Sequence, residues 1–113
     1  MIADRIEKYT ECLKFLEEFN YKPLKYTLLF YEENENGIQA VAGYHRDYGS
    51  MIEPLYSKNL RYSRKLYDEV ENFLRELGHI IVRTKTEDNK VAKALIKHKG
   101  YKLTNEIYLI KEL

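Results

Sequence analysis

Apolar residues at the start of the chain are spaced as in an amphipathic helix. They stand three or four residues apart, with charged residues on the opposite face, and this spacing predicts a helix over residues 2–19. Pro23 follows the pattern and ends it, because a residue that precedes proline avoids helical backbone angles. The apolar positions are Ile2, Ile6, Tyr9, Leu13 and Leu16.

The next part of the chain has the composition of β-strands. Residues 24–31 are rich in aromatic and branched side chains, and residues 38–45 repeat this character. Asn36 and Gly37 lie between the two segments and form a strong turn signal. We therefore expect an antiparallel hairpin, followed by a second turn at residues 47–50.

A third strand and a second helix follow. The strand is predicted over residues 51–56, where Pro54 marks an edge, a bulge or a strand end because proline lacks a backbone N–H. The helix is predicted over residues 64–77 from its apolar stripe, with Ser63 as the N-cap and Gly78 as the stop.

The last third of the chain predicts a strand, a helix and a final strand. Residues 79–85 contain a continuous apolar run at 80–82, which is typical of a strand covered on both faces. A helix over residues 88–99 ends at Gly100, and one strand is expected over residues 101–110.

This order of elements predicts a single α/β domain over residues 1–113. The strands form a mixed, mostly antiparallel central sheet with helices on both faces. The step from the third strand through the second helix to the fourth strand is expected to be a right-handed parallel crossover.

Composition limits the function classes. Charged residues make up 33% of the chain and no apolar run is long enough to span a membrane, so we expect a soluble protein without a membrane partner. The single cysteine, Cys12, excludes an internal disulfide and a cysteine metal cluster, and it suggests a reducing, cytoplasmic location. A net charge of +1 provides no general attraction to nucleic acid, so a nucleic-acid partner is not expected.

The segment from residue 38 to residue 101 resembles the GNAT superfamily of N-acetyltransferases. In that family a bulged strand precedes the helix that holds the coenzyme A pyrophosphate, and residues 51–56 stand at the place of the bulged strand. A later helix carries the signature N-x-x-A-x-x-L, followed by Gly and an aromatic residue. The matching residues are Asn89, Ala92, Leu95, Gly100 and Tyr101.

Three features depart from the family pattern. The glycines of the pyrophosphate loop are missing, since Lys58, Arg61 and Ser63 fall at the places of the loop signature. Ile96 stands where the family has the tyrosine that acts as the general acid, and isoleucine cannot donate a proton. The first strand of the family is expected to be absent, which would leave an exposed sheet edge and favour a homodimer.

The resemblance implies acetyl-CoA, or another acyl-CoA, as co-substrate and an unknown amine as acceptor. Glu53 stands where relatives keep a general base, and a backbone N–H near Leu55 would polarise the thioester carbonyl. Asn89 either caps its helix or contacts the cofactor. The predicted cofactor-binding residues are Leu55, Tyr56, Lys58, Arg61, Ser63, Arg64 and Asn89.

Two alternatives to an active enzyme remain open. The missing glycines and the missing tyrosine also fit a catalytically inactive GNAT-like module that binds a protein partner, such as a virus-encoded inhibitor or a regulatory subunit. Tyrosines 44, 48, 56, 62 and 67 crowd one region, and tyrosine is enriched at interfaces. A nucleic-acid-binding domain is the third reading, disfavoured by the near-neutral charge.

Overall fold

The computed structural model describes residues 1–24, 27–45, 51–86, 89–104 and 108–113. The turn expected at residues 47–50 lies outside these residues. The described helices and strands follow one another as α1 (Ile6–Glu17), β1 (Leu28–Asn34), β2 (Gly37–His45), β3 (Met51–Ser57), α2 (Leu60–Glu76), β4 (Ile81–Lys85), α3 (Asn89–Lys99), β5 (Lys102–Leu103) and β6 (Tyr108–Glu112).

The strands form one mixed sheet in the order β1-β2-β3-β4-β6-β5. Every pair of neighbours is antiparallel except β3 and β4, which are parallel and joined through α2. The predicted mixed sheet with one parallel crossover is therefore confirmed. No helix in the described part of the chain is long and apolar enough to cross a membrane.

The β1–β2 hairpin has the turn that the sequence predicts. Its pairing runs from Leu28 opposite Tyr44 to Asn34 opposite Gly37. The backbone N–H of Asn36 donates to Oδ1 of Asn34 at 2.8 Å, and Gly37 has a φ of 100°, a left-handed value that glycine adopts without steric cost.

Helices cover both faces of the sheet, as predicted, because alternate strand residues point to opposite sides. Leu29 and Val41 pack with Cys12, Phe15 and Leu16 of α1. On the other face, strand side chains pack against α2 and α3. The fully buried members of this second core include Phe30, Ala40, Ala42, Leu66, Val70, Leu74 and Val82.

The expectation that β4 is covered on both faces is wrong. Ile80 is 73% exposed and Ile81 is 39% exposed, whereas Val82 is fully buried. The reason is that α1 packs on β1 and β2 and does not extend over β4, so one face of β4 remains open.

The single strand expected over residues 101–110 is also wrong, because the chain forms two strands there. Lys102 pairs with Ile110 and Leu103 pairs with Leu109, so β5 and β6 run antiparallel to each other. Polar residues stand at positions 104–106 of the sequence, and apolar content alone does not reveal a reversal of direction.

Helices α1 and α2 begin at residues other than those predicted. Helix α2 begins about one turn earlier than expected, with Asn59 rather than Ser63 as its N-cap. Helix α1 begins at Ile6, because the preceding residues are extended against β1. The N–H of Ala3 donates to the carbonyl of Leu29 at 2.9 Å. The sheet edge expected to be bare is therefore partly covered, and the homodimer stays a prediction.

Candidate functional site

A cleft opens where β3 and β4 separate. The two strands pair only at Met51 with Arg83 and at Ile52 with Thr84, after which β3 continues and β4 ends. The space between them has a volume of about 650 Å³. Its wall consists of Phe19, Tyr21, Glu53, Leu55, Tyr56, Ser57, Asn59, Leu60, Ser63, Tyr67, Lys85, Thr86 and Val91.

A β-bulge in β3 lies at the point of separation, as Pro54 predicted. Leu55 pairs with Ala42 and Ile52 pairs with Tyr44, so two residues of β3 occupy the space opposite one residue of β2. Such a bulge redirects the side chains of the bulged strand. Here it lies beside Glu53, whose half-buried carboxylate belongs to the cleft wall.

A chain of buried hydroxyl groups forms the floor of the cleft. Thr84 Oγ1 donates to the carbonyl of Ile52 at 3.0 Å, so its single proton is engaged. The Tyr67 hydroxyl lies 3.0 Å from the same Oγ1 and must therefore donate to it. Burial raises the pKa of Tyr67 to about 12.

Aromatic rings form one wall of the cleft. Phe19 and Tyr56 stack with their ring centroids 4.8 Å apart, and Tyr21 is tilted against Tyr56 at 5.8 Å. Burial raises the pKa of Tyr21, and the negative charge of Glu53 raises it further. Glu53 therefore lies within electrostatic reach of this aromatic wall.

The N-terminus of α2 forms another wall, and the Asn59 side chain already occupies two of its N–H groups. Oδ1 of Asn59 accepts from the N–H of Arg61 at 3.0 Å and from that of Tyr62 at 3.3 Å. The hydroxyls of Ser57 and Ser63 are hydrogen-bonded to each other, and that of Ser57 also donates to the carbonyl of Asn59. A glycine-rich loop would leave such N–H groups available to phosphate.

Solved structures share the fold over almost the whole chain. A Klebsiella pneumoniae protein assigned as an acyl-CoA N-acyltransferase is 14% identical and has a TM-score of 0.70, with 99% of this chain and 94% of that chain covered. A GNAT-family acetyltransferase from Staphylococcus aureus is 15% identical with a TM-score of 0.70, covering 99% and 97%. The fold is that of the GNAT acetyltransferases.

A third structure, a ribosomal-protein-alanine N-acetyltransferase from Brucella melitensis, is 15% identical with a TM-score of 0.63. The match covers 96% of this chain and 79% of that chain. No family sequence model and no curated protein sequence matches the chain. The GNAT resemblance expected from the ordered motifs is therefore confirmed at the level of the fold.

The GNAT fold brings half of the predicted site residues together. Glu53, Leu55, Tyr56 and Ser63 all line the cleft. The remaining four are exposed and do not belong to its wall. These are Lys58, Arg61, Arg64 and Asn89.

The exposed residues have other surroundings. The Lys58 ammonium lies 5.6 Å from the ring centroid of Phe15, on the side of α1. Asn89 is the first residue of α3. Ile96, at the place of the family tyrosine, is 45% exposed and is not part of the cleft wall.

Several cleft residues were missed from the sequence. Lys85 and Thr86 lie at the carboxyl end of β4, and the rule that crevices form at the carboxyl ends of parallel strands could have indicated them. Phe19 and Tyr21 follow the end of α1, and no local pattern signals that they reach β3. Within the described residues, no cluster of His, Cys, Asp and Glu could hold a metal ion.

Proposed function

We propose that the cleft binds an acyl-CoA and that the protein transfers the acyl group to an amine. The observation that carries this proposal is the opening between β3 and β4 at a bulge, inside a GNAT fold. A strand edge that leaves its partner exposes backbone groups, which an extended amide-containing ligand can pair with. The pantetheine arm of coenzyme A has this character.

The residues at the bulge supply the chemistry of acyl transfer. A backbone N–H near Leu55 would donate to the thioester oxygen, where negative charge develops as the amine attacks. Glu53 would accept the proton of the amine, directly or through one water molecule. Its carboxylate suits this role because it lines the cleft without an ion pair in the described part of the chain.

The phosphates of the ligand would lie near the start of α2. The Asn59 side chain occupies two N–H groups there, so a pyrophosphate would have to displace it or use other donors. Arg61 and Arg64 are exposed in the first turns of the helix and can supply charge in place of the missing glycine loop.

Calorimetric titration with acetyl-CoA tests the proposal. We expect micromolar binding for the natural chain and at least a tenfold loss for Ser63→Asp, because this substitution places a carboxylate in the cleft wall where the phosphates would lie. Thr10→Asp is the matched control. Thr10 is exposed on α1, so this substitution adds the same charge outside the cleft wall.

A second arm of the titration tests the exposed cations. If Lys58 and Arg61 bind the phosphates, replacing both with alanine abolishes binding of acetyl-CoA and of ADP alike. Unchanged binding in this variant would remove the two residues from the site and leave the cleft itself as the binding element.

The occupied helix N-terminus also favours a second function. Asn59 satisfies the N–H groups that an active member would present to phosphate, and Ile96 provides no acid. Both features fit a catalytically inactive GNAT-fold module that binds a protein partner. Failure to bind acetyl-CoA at millimolar concentration would contradict the enzyme proposal and support this alternative.

A further inference from the structure

We propose that Lys85 is the catalytic acid of this cleft, donating a proton to the sulfur that leaves when the acyl group is transferred. This inference rests on the proposed function, and it names the group that replaces the missing tyrosine. It follows from the placement of Lys85, from the absence of an ion pair between it and any described residue, and from the hydrogen bonds of the buried Tyr67 phenol in the cleft.

The strand register sets Lys85 across the cleft from Glu53. The last parallel pair is Ile52 with Thr84, and Glu53 and Lys85 are the next residues of β3 and β4. Both side chains line the cleft. A carboxylate and an ammonium group therefore lie at the same register position on opposite sides of the cleft. A thioester bound between the strands would have the attacking amine near one of them and the leaving sulfur near the other.

These two residues also provide the charge of the cleft. Among the described residues that line it, Glu53 is the one carboxylate and Lys85 is the one ammonium group. No ion pair joins them or engages either with another described residue. Lys85 is half-buried, so its charge is only partly screened by water.

Among the three described tyrosines of the cleft wall, Tyr67 is the buried one, and its contacts disfavour it as the proton donor. Its proton is committed to Thr84, whose own proton is committed to the carbonyl of Ile52. The hydroxyl of Tyr67 therefore offers lone pairs to the cleft. Its raised pKa, about 12, would also oppose the loss of its proton to a thiolate.

The step balances with the residues named. The amine nitrogen attacks the thioester carbon as its proton passes to Glu53, and the carbon–sulfur bond then breaks with its electron pair on sulfur. Lys85 gives a proton from Nζ to that sulfur, so the products are an amide and free coenzyme A. Solvent then returns the proton from Glu53 to the Lys85 amine, and no oxidant or further reactant is needed.

The test measures the thiol of bound coenzyme A by its thiolate ultraviolet absorbance between pH 6 and pH 10, in the natural chain and in Lys85→Met. A nearby ammonium favours the thiolate, so we expect the bound thiol in the natural chain to have a pKa lower by about one unit than in Lys85→Met. Raised pKa values keep the Tyr21 and Tyr67 phenols protonated over most of this range.

Two further variants separate charge from proton donation. Lys85→Arg keeps the charge but releases its proton reluctantly, so it should preserve the lowered thiol pKa while turnover of acetyl-CoA falls about 100-fold. Lys93→Met is the control, because Lys93 is an exposed lysine of α3 outside the cleft, and it should leave both measurements unchanged.

The outcomes distinguish this inference from the proposed function. Coenzyme A binding with the same thiol pKa in the natural chain and in Lys85→Met would overturn the role of Lys85 and leave the acyl-CoA site intact. Absence of coenzyme A binding to the natural chain would overturn both. A shift that appears in Lys85→Met alone, with unchanged melting temperature, would support the inference.

Discussion

The two halves of the sheet differ in how completely their neighbouring strands pair. In the β1–β2 half, pairing continues from Leu28 to Asn34, and helices cover both faces. In the β3–β4 half, pairing stops after Ile52 and Thr84, and the strands separate around a cleft. Backbone pairing that is completed in one half is left open in the other.

This difference separates the more completely paired half of the sheet from the half where we propose that the ligand binds. A strand with all its partners gains from burial and hydrogen bonding, whereas a strand that leaves its partner keeps groups that a ligand can satisfy. The hairpin half can then act as the rigid base that positions the bulge, Glu53 and Lys85. Three experiments compare the halves, beginning with the largest expected effect.

Truncation of a core side chain should give the largest difference in unfolding free energy between the two halves. Phe30 of β1 is fully buried and its ring lies 5.3 Å from that of Phe73, so Phe30→Ala should lower the free energy of unfolding by about 3–5 kcal/mol. Leu55 of β3 is only partly buried, so Leu55→Ala should cost about 1–2 kcal/mol. Urea unfolding measures both, and equal losses would contradict the division.

Alkaline pH should destabilise both halves through groups that are buried uncharged. Burial raises the pKa of Cys12 from 9.0 to about 12 and that of Tyr67 from 10.0 to about 12. The folded protein holds these protons more tightly than the unfolded chain, so stability is full below pH 9 and falls as the pH rises toward 12. We expect a loss on the order of 2 kcal/mol by pH 10.

Variants assign this loss to the two halves. Cys12→Ala should move the start of the decline from about pH 9 toward pH 10, whereas Tyr67→Phe should leave the start and reduce the slope above pH 10. Chemical unfolding at a series of pH values provides the measurement. A stability curve that stays flat between pH 9 and pH 11 would show that neither group is held uncharged by the fold.

The smallest expected effect is at the start of α2. Asn59→Gly removes the side chain that accepts from Arg61 and Tyr62, which should cost only a few tenths of a kcal/mol of stability. The freed N–H groups should tighten acetyl-CoA binding about two- to fivefold. Asn59→Asp is the matched variant, since it keeps the cap but repels phosphate. Weaker binding in Asn59→Gly would indicate that Asn59 itself contacts the ligand.

The sequence predicts the fold better than it predicts the site, and particular residues explain why. The hairpin follows from a local turn signal at Asn36 and Gly37, and the bulge is one of the three irregularities that Pro54 predicted. These signals act through nearby backbone geometry. The start of α2 was missed because Asn59 and Ser63 are both good capping residues, and only the packed structure selects between them.

The cleft depends on contacts between distant parts of the chain. Phe19 and Tyr21 reach Tyr56 from the end of α1, and no spacing along the sequence records that approach. The basic residues near α2 suggested an anion site by their number. Where these residues lie depends on the position of α1, which their own sequence does not reveal. The Lys58 ammonium, for example, lies over the ring of Phe15 in α1 and is not part of the cleft wall.

The buried cysteine has a consequence for the proposed acyl transfer. A thiol exchanges with a thioester only as the thiolate and only when the two can meet. Cys12 is fully enclosed between α1 and the hairpin, and its high pKa keeps it as the thiol. The one thiol of the chain is thus kept from acyl donors, so an acyl group bound at the proposed site would remain available to the amine.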